Sequence, residues 1–198
     1  YDEVKIIEKW DSLALPYLDV NCRITSFQLF NQFITSDYKY KDESLELIFD
    51  LQEIIGKNPN AQFSRNDIQK FKNIFSPIST EDTTDIKKHV EMIKKEWKQR
   101  EISFTNNESI SLVNIFLHSP EENNLFIGHT GVLMKEKDGY VFIEKLAQAM
   151  PYQALKFQTK DELYTYLMKL YDVNTGDYAK IAAKPIIMEN DQLLKVEN

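Results

Sequence analysis

The hydrophobic pattern of this chain changes period once, between residues 100 and 110, and that change sets the class of fold open to it. Before it, apolar residues recur at helical spacing; after it they come in short β-rich runs. A short helical or irregular lead-in over 1–19 ends at the turn around Pro16. The segment 21–34 then places Ile24, Phe27, Leu29, Phe30, Phe33 and Ile34 on a broad apolar helical face. Asn21 is a good N-cap, which sets Cys22 at the first helical position. Further helices are expected over 43–55, stopped by Gly56, and over 64–75, opened by a Ser64–Asp67 capping pair and closed before Pro77. Another, over 82–100, carries Ile86, Val90, Ile93 and Trp97 on one stripe with His89 beside it. The block from about 40 to 100 reads as helical throughout.

Past the change, 110–117, 125–134 and 140–146 read as strands, and Asp138-Gly139 between the last two is a strong hairpin signal. A short strand over 154–157 leads to a helix capped by Thr159 and running to Tyr171. The tail, 185–188 and 193–196, reads as a final hairpin. Helices first and an antiparallel sheet after them make this an α+β chain. We expect one domain over 1–198, with about 40–100 as a helical insertion and about 110–198 forming the sheet.

The formal charge of −7 repels phosphate backbones, so nucleic acid is not an expected partner. No apolar run approaches the roughly 18–20 residues that a bilayer span needs, so no transmembrane segment is expected. One cysteine permits neither an intramolecular disulfide nor a cysteine-based zinc cluster. The three histidines are scattered without ligand spacing, so no metal site is expected. His118, ahead of Pro120, reads as a solvated loop residue. Phosphate-binding glycine loops are absent, and no cofactor is expected.

What remains is the thiol. A cysteine becomes a nucleophile when its thiolate is favoured, a base lies within reach and the sulfur is accessible. At a helix N-terminus the unpaired backbone N–H groups and the macrodipole favour the thiolate. Arg23 adds positive charge if it turns toward the sulfur, and the Cys22 N–H can serve an oxyanion. Against this, lone cysteines are mostly buried and act as small hydrophobes. A second signal comes from Gly128-His129-Thr130-Gly131: glycines weaken a strand, and two of them beside an imidazole leave space for another group. A hydrogen-bonded core histidine is the plainer account of the same residues.

A base needs an orienter, and Glu144 on the next strand is the candidate. If Asp138-Gly139 is a two-residue loop, Glu144 falls opposite Leu133, too far from His129. If the loop is 136–139, Glu144 falls opposite Gly131, diagonal to His129 and close enough to touch it. A three-residue loop puts the two on opposite faces unless a bulge intervenes. A solvated carboxylate, or one paired with Lys145, is the alternative role. Tyr152 and Gln153 offer a stacking surface and a bifunctional amide that can line a cleft, and Tyr17 just before the cysteine has the same standing.

The order of helix-borne Cys22, strand-borne His129 and a polar residue on the following strand resembles the papain-like NlpC/P60 class. That resemblance implies Cys22 as nucleophile, His129 as base and Glu144 as third residue, on a cysteine-bearing helix packed against an antiparallel sheet. Arg23 beside the cysteine, Glu144 in third place and the long insertion depart from the usual pattern of that class. More narrowly, NCRITSF, GHTGVLMKEKDGYVFIEKL, PYQALKF and KPIIMEND resemble the bacterial domain-of-unknown-function family 4300. The resemblance implies a secreted or lipid-anchored protein of the Gram-positive cell surface, its signal segment lying outside this chain. The expected activity is hydrolysis or acyl transfer on a peptide or amide bond, with peptidoglycan fragments as one substrate class. An inactive cell-surface binding module on the same fold is the alternative.

Overall fold

The computed structural model describes residues 2–39 and 45–194. Helix α1, Glu3–Asp11, is capped by Asp2 and buries none of its side chains. Helix α2, Cys22–Phe30, starts where Asn21 accepts the Ile24 N–H, and Ile24, Phe27 and Phe30 are fully buried along it. It stops short of the expected end. A 3₁₀ turn, Asn31–Phe33, is followed by strand β1, Ile34–Thr35, because two β-branched residues pair there with β3, Ser103–Phe104.

The helix expected over 43–55 is a single α-turn, α3, Leu45–Ile48, that runs into a π-helical segment, Phe49–Ile55; residues 43 and 44 lie outside the described part. Helix α4, Arg65–Phe75, opens with the Ser64–Asp67 capping box, and α5, Ile86–Gln99, follows an Asp85 cap. The block is not helical throughout. Strand β2, Ile78–Ser79, comes between α4 and α5 and pairs with the main sheet.

That sheet is seven-stranded and antiparallel. It contains β4, Ile110–Ser119; β5, Asn124–Glu136; β6, Gly139–Lys145; and β7, Tyr152–Phe157. Helices α6, Lys160–Tyr171, and α7, Tyr178–Ile181, precede β8, Ile186–Glu189, and β9, Gln192–Leu193. The spatial order is β7-β6-β5-β4-β8-β9, with β2 on the far end of β5. The final hairpin therefore exists, though 195 and 196 of its expected second strand lie outside the described residues.

Two apolar layers flank the sheet. Ile24, Phe27 and Phe30 of α2 join residues of α4 and α5 against Leu112, Ile127 and Val132 on one side. On the other, Leu163 and Leu167 of α6 cover Val113, Ile115, Leu133 and Phe142. Helix α2 lies against β5 and β6, which brings its first residue toward the middle of the sheet.

Candidate active site

The β5–β6 hairpin decides the site. Glu136 pairs with Gly139, so the turn is Lys137-Asp138, and Gly139 takes φ +128, a conformation only glycine adopts easily. This is the register in which Glu144 lies opposite Gly131. A second irregularity sits on the other edge of β5. Ile115 pairs with His129 and Phe116 with Ile127, so Gly128 is an extra residue, a β-bulge. The bulge puts Ile127 on the α2 layer and His129 on the layer of α6. Pairing with β6 ends at Gly131–Glu144, so no β6 partner stands opposite His129.

The consequence is a buried ion-pair cluster. His129 Nε2–H donates to Glu144 Oε2 at 2.6 Å. The other carboxylate oxygen accepts from the Tyr166 hydroxyl at 2.6 Å and from Gln153 Nε2 at 2.7 Å. Three donors thus satisfy a carboxylate that is fully buried. Burial alone pushes Glu144 up, but the hydrogen bonds from His129 and Tyr166 and the imidazolium charge outweigh it, so its carboxyl ionises below the usual range. Burial likewise disfavours the imidazolium, yet the thiol of Cys22 and the carboxylate of Glu144 raise His129 to about 9. With Nε2 given to Glu144, Nδ1 is the nitrogen left for the sulfur. The Tyr171 ring lies over the imidazole, 5.1 Å between centroids and 19° between planes. Burial and the charges of Glu144 and Cys22 push its hydroxyl pKa far up, so it stays protonated.

Cys22 is 9% exposed, His129 1% and Glu144 0%, so the cysteine is the most exposed of these three residues. Arg23 does not turn to the thiol. Its Nε donates to Asp50 Oδ2 at 2.7 Å, and a weaker bond reaches the Ile127 carbonyl. Asn21 Nδ2 donates to the other Asp50 oxygen. Burial raises the Asp50 carboxyl pKa against the pull of that guanidinium. Asp50, in the π-helical segment, therefore holds the residues on both sides of Cys22.

The flanking glycines do not leave a void beside the imidazole. A Cβ on Gly131 would meet the Phe142 ring at 2.2 Å, and one on Gly128 would meet Leu117 at 2.4 Å. The space is filled by neighbouring apolar side chains, and the glycines serve close packing. Gln153 holds Glu144, whereas Tyr152 is 57% exposed with Lys145 Nζ 4.8 Å from its ring centroid. Tyr17 is half-buried in the bend before α2 and makes no hydrogen bond to the cluster among the described residues. Lys145 pairs with Asp19 at 2.9 Å, not with Glu144.

Three contributors were missed by sequence reasoning. Tyr166 and Tyr171 fall on the Leu163–Leu167 stripe of α6 at helical spacing, so two tyrosines on a buried face were the available signal. Asp50 lies between Leu47 and Ile54 on an apolar stripe, the mark of a buried carboxylate with a partner. His118 is a correction: β4 extends through Ser119, and the ring is buried 4.7 Å from that of His89.

Among the described residues no group of three or more His, Cys, Asp or Glu side chains is arranged to hold a metal ion, and no helix is long and apolar enough to cross a membrane. A family model described as a domain of unknown function, DUF4300, matches residues 1–194. No curated protein and no solved structure matches the chain.

Proposed function

The chain belongs to the DUF4300 family, and from that premise we propose that it is a cysteine-dependent hydrolase or acyl transferase acting on a peptide or other amide bond. The observation that carries this reading is His129, held by Glu144 at 2.6 Å and raised to about 9 by that carboxylate and the Cys22 thiol. An imidazolium stable at neutral pH beside a sulfur at a helix start is the condition for a thiolate nucleophile.

In this mechanism the Cys22 thiolate adds to the carbonyl carbon. The oxyanion accepts from the Cys22 backbone N–H, which has no intrahelical partner at the first position of α2. His129 gives its proton to the departing amine, leaving a thioester on Cys22. It then takes a proton from water, or from an acceptor amine, as that attacks the thioester. Glu144 keeps Nε2 protonated and fixes the ring, and Tyr166 and Gln153 hold Glu144. Arg23 is assigned to Asp50, not to the oxyanion. A papain-like NlpC/P60-type core, a cell-surface setting and peptidoglycan peptides as substrates belong to the same proposal and rest on the resemblance.

Burial favours a second reading. With Cys22 only 9% exposed, the cluster also suits a binding module that keeps the ion pair as structure. Iodoacetamide alkylation of Cys22 across pH separates the two. A catalyst reacts well below pH 8 and is slowed sharply by His129→Ala. Ordinary thiol pH dependence, unchanged by that substitution, leaves the binding reading. Turnover of peptide or muropeptide substrates by wild type but not by Cys22→Ala then identifies the bond that is cut.

A further inference from the structure

The stretch that carries Asp50 grips the start of α2 from outside it. Asp50 is the second residue of the π-helical segment Phe49–Ile55 and is fully buried. Its two carboxylate oxygens go to the two residues that flank Cys22: Oδ1 accepts from Asn21 Nδ2, and Oδ2 accepts from Arg23 Nε at 2.7 Å. Further along, Asn58, 1% exposed, donates from Nδ2 to the Leu18 carbonyl at 2.9 Å. Gln28 Nε2 donates to the Asn60 carbonyl at 2.7 Å. Residues 50–60 therefore hold the chain before and after the thiol.

The grip continues toward the imidazole. Arg23 Nη1 donates to the Ile127 carbonyl at 3.4 Å, and Ile127 is followed by the bulge residue Gly128 and then by His129. One guanidinium thus joins the residue after Cys22 to the residue two before His129, with Asp50 as its buried anchor. The peptides on either side of a residue set the direction of its Cβ, so fixing Asn21 and Arg23 fixes where the Cys22 side chain leaves the backbone. A buried ion pair is seldom more stabilising than apolar side chains of the same size, so stability is a poor account of this one. Orientation is a better one, and π-helical turns are frequent at functional sites.

We infer that Asp50 is a positioning residue: acting through Arg23, it sets the contact between the Cys22 thiol and the His129 imidazole. The inference rests on the cysteine-hydrolase reading and gives the segment 50–60 a role in it. That role is to fix the reacting geometry, where a misplacement of about 1 Å costs on the order of 10²-fold in rate.

The titration of His129 tests it, followed by NMR and assigned with His129→Gln. Neither Asp50 nor Arg23 is hydrogen-bonded to His129 among the described residues, so a change there reports geometry carried through Cys22. Cys22→Ala is expected to lower the His129 midpoint by about one pH unit or more, the loss of a close charge partner. Arg23→Met combined with Asp50→Asn removes one charge of each sign, so the formal charge stays at −7, and it leaves an acceptor for Asn21. The double variant is expected to lower the midpoint by about half as much or more, and to slow Cys22 alkylation at pH 6 to 7 by about fivefold or more. Should it not fold, Arg23→Lys is read the same way, since it keeps a cation for Asp50 and lacks the fork that also reaches Ile127. A His129 midpoint unchanged in the folded variant, while Cys22→Ala still lowers it, overturns the role of Asp50 and leaves the hydrolase reading standing. If both substitutions lower the midpoint but iodoacetamide reports an ordinary thiol, Asp50 keeps its positioning role and the hydrolase reading fails. A midpoint that Cys22→Ala does not move overturns both.

Discussion

The ring of Tyr171 lies nearly parallel to the imidazole of His129, with centroids 5.1 Å apart, and covers the face of that ring turned toward α6. The contact joins the last residue of a helix to the bulged strand, so α6 takes part in the site as well as in the core.

Tyr171→Phe is expected to keep stability within about 0.5 kcal/mol, because the hydroxyl stays protonated and the ring supplies the contact. Tyr171→Ala is expected to cost about 2 kcal/mol in urea denaturation and to slow Cys22 alkylation by freeing the imidazole to rotate. Equal alkylation rates in the two variants would show that the stack does not position the ring.

The alkaline side of the stability profile belongs to His129. Its proton is bound more tightly folded than unfolded, so its stabilisation is complete below about pH 6.5 and is lost as pH rises through about 9. Urea titrations are expected to show wild type weakening over that window and His129→Gln weakening less. Glu144→Gln removes the charge that faces Nε2, so the window is expected to move toward the ordinary histidine range. Alkylation of Cys22 at pH 6 to 7 is expected to slow about tenfold or more with it, the loss of a buried charge partner.

The acid side belongs to a different pair. His118 Nδ1 accepts the Ala183 N–H at 3.0 Å, and His89 packs against the same ring, fully buried. Burial holds both histidines below their usual value, and for His89 the neighbouring ring adds to it; Asp82 and Glu121 near His118, and Asp85 near His89, only partly offset this. Protonating Nδ1 of His118 sets two N–H donors against each other. Stability from this pair is therefore complete above about pH 6.5 and lost as pH falls through the lowered values. His118→Asn keeps an acceptor without a titrating group, and its acid denaturation midpoint is expected at lower pH than that of wild type.

The two strand glycines are predicted to differ in cost. An added Cβ at Gly131 meets the buried Phe142 ring and stands 2.9 Å from the Ile143 carbonyl, which cannot swing away. Gly131→Ala is expected to destabilise by about 2 kcal/mol and to disturb the Glu144 register. At Gly128 the obstacle is the end of a half-buried Leu117. Gly128→Ala is expected to cost about 1 kcal/mol or less. Chemical denaturation of the two variants checks the order.

Much of the architecture can be read along the chain because its causes are local. The change of period separates helices from sheet, Asn21 caps α2 and so places Cys22, and Ser64 and Thr159 start their helices through side chains three residues from their partners. The prominence of Cys22, His129 and Glu144 also comes from local pattern. Their mutual geometry does not. The hairpin register was open among three loops, and it was settled by where Gly139 could adopt φ +128 and by the packing of Phe142 over Gly131. The bulge at Gly128, which turns His129 to the α6 layer, depends on what β4 offers opposite. Tyr166, Tyr171, Gln153 and Asp50 reach the site from segments distant in sequence, and Arg23 was drawn from the thiol by a carboxylate 27 residues away. Alone, the amino-acid order determined which short segments became helix or strand, since propensity and capping act over a few residues. Which buried charges meet was decided only when the sheet closed and α2 and α6 packed on its two faces, because an ionised group out of water must find its partner wherever the fold has put one.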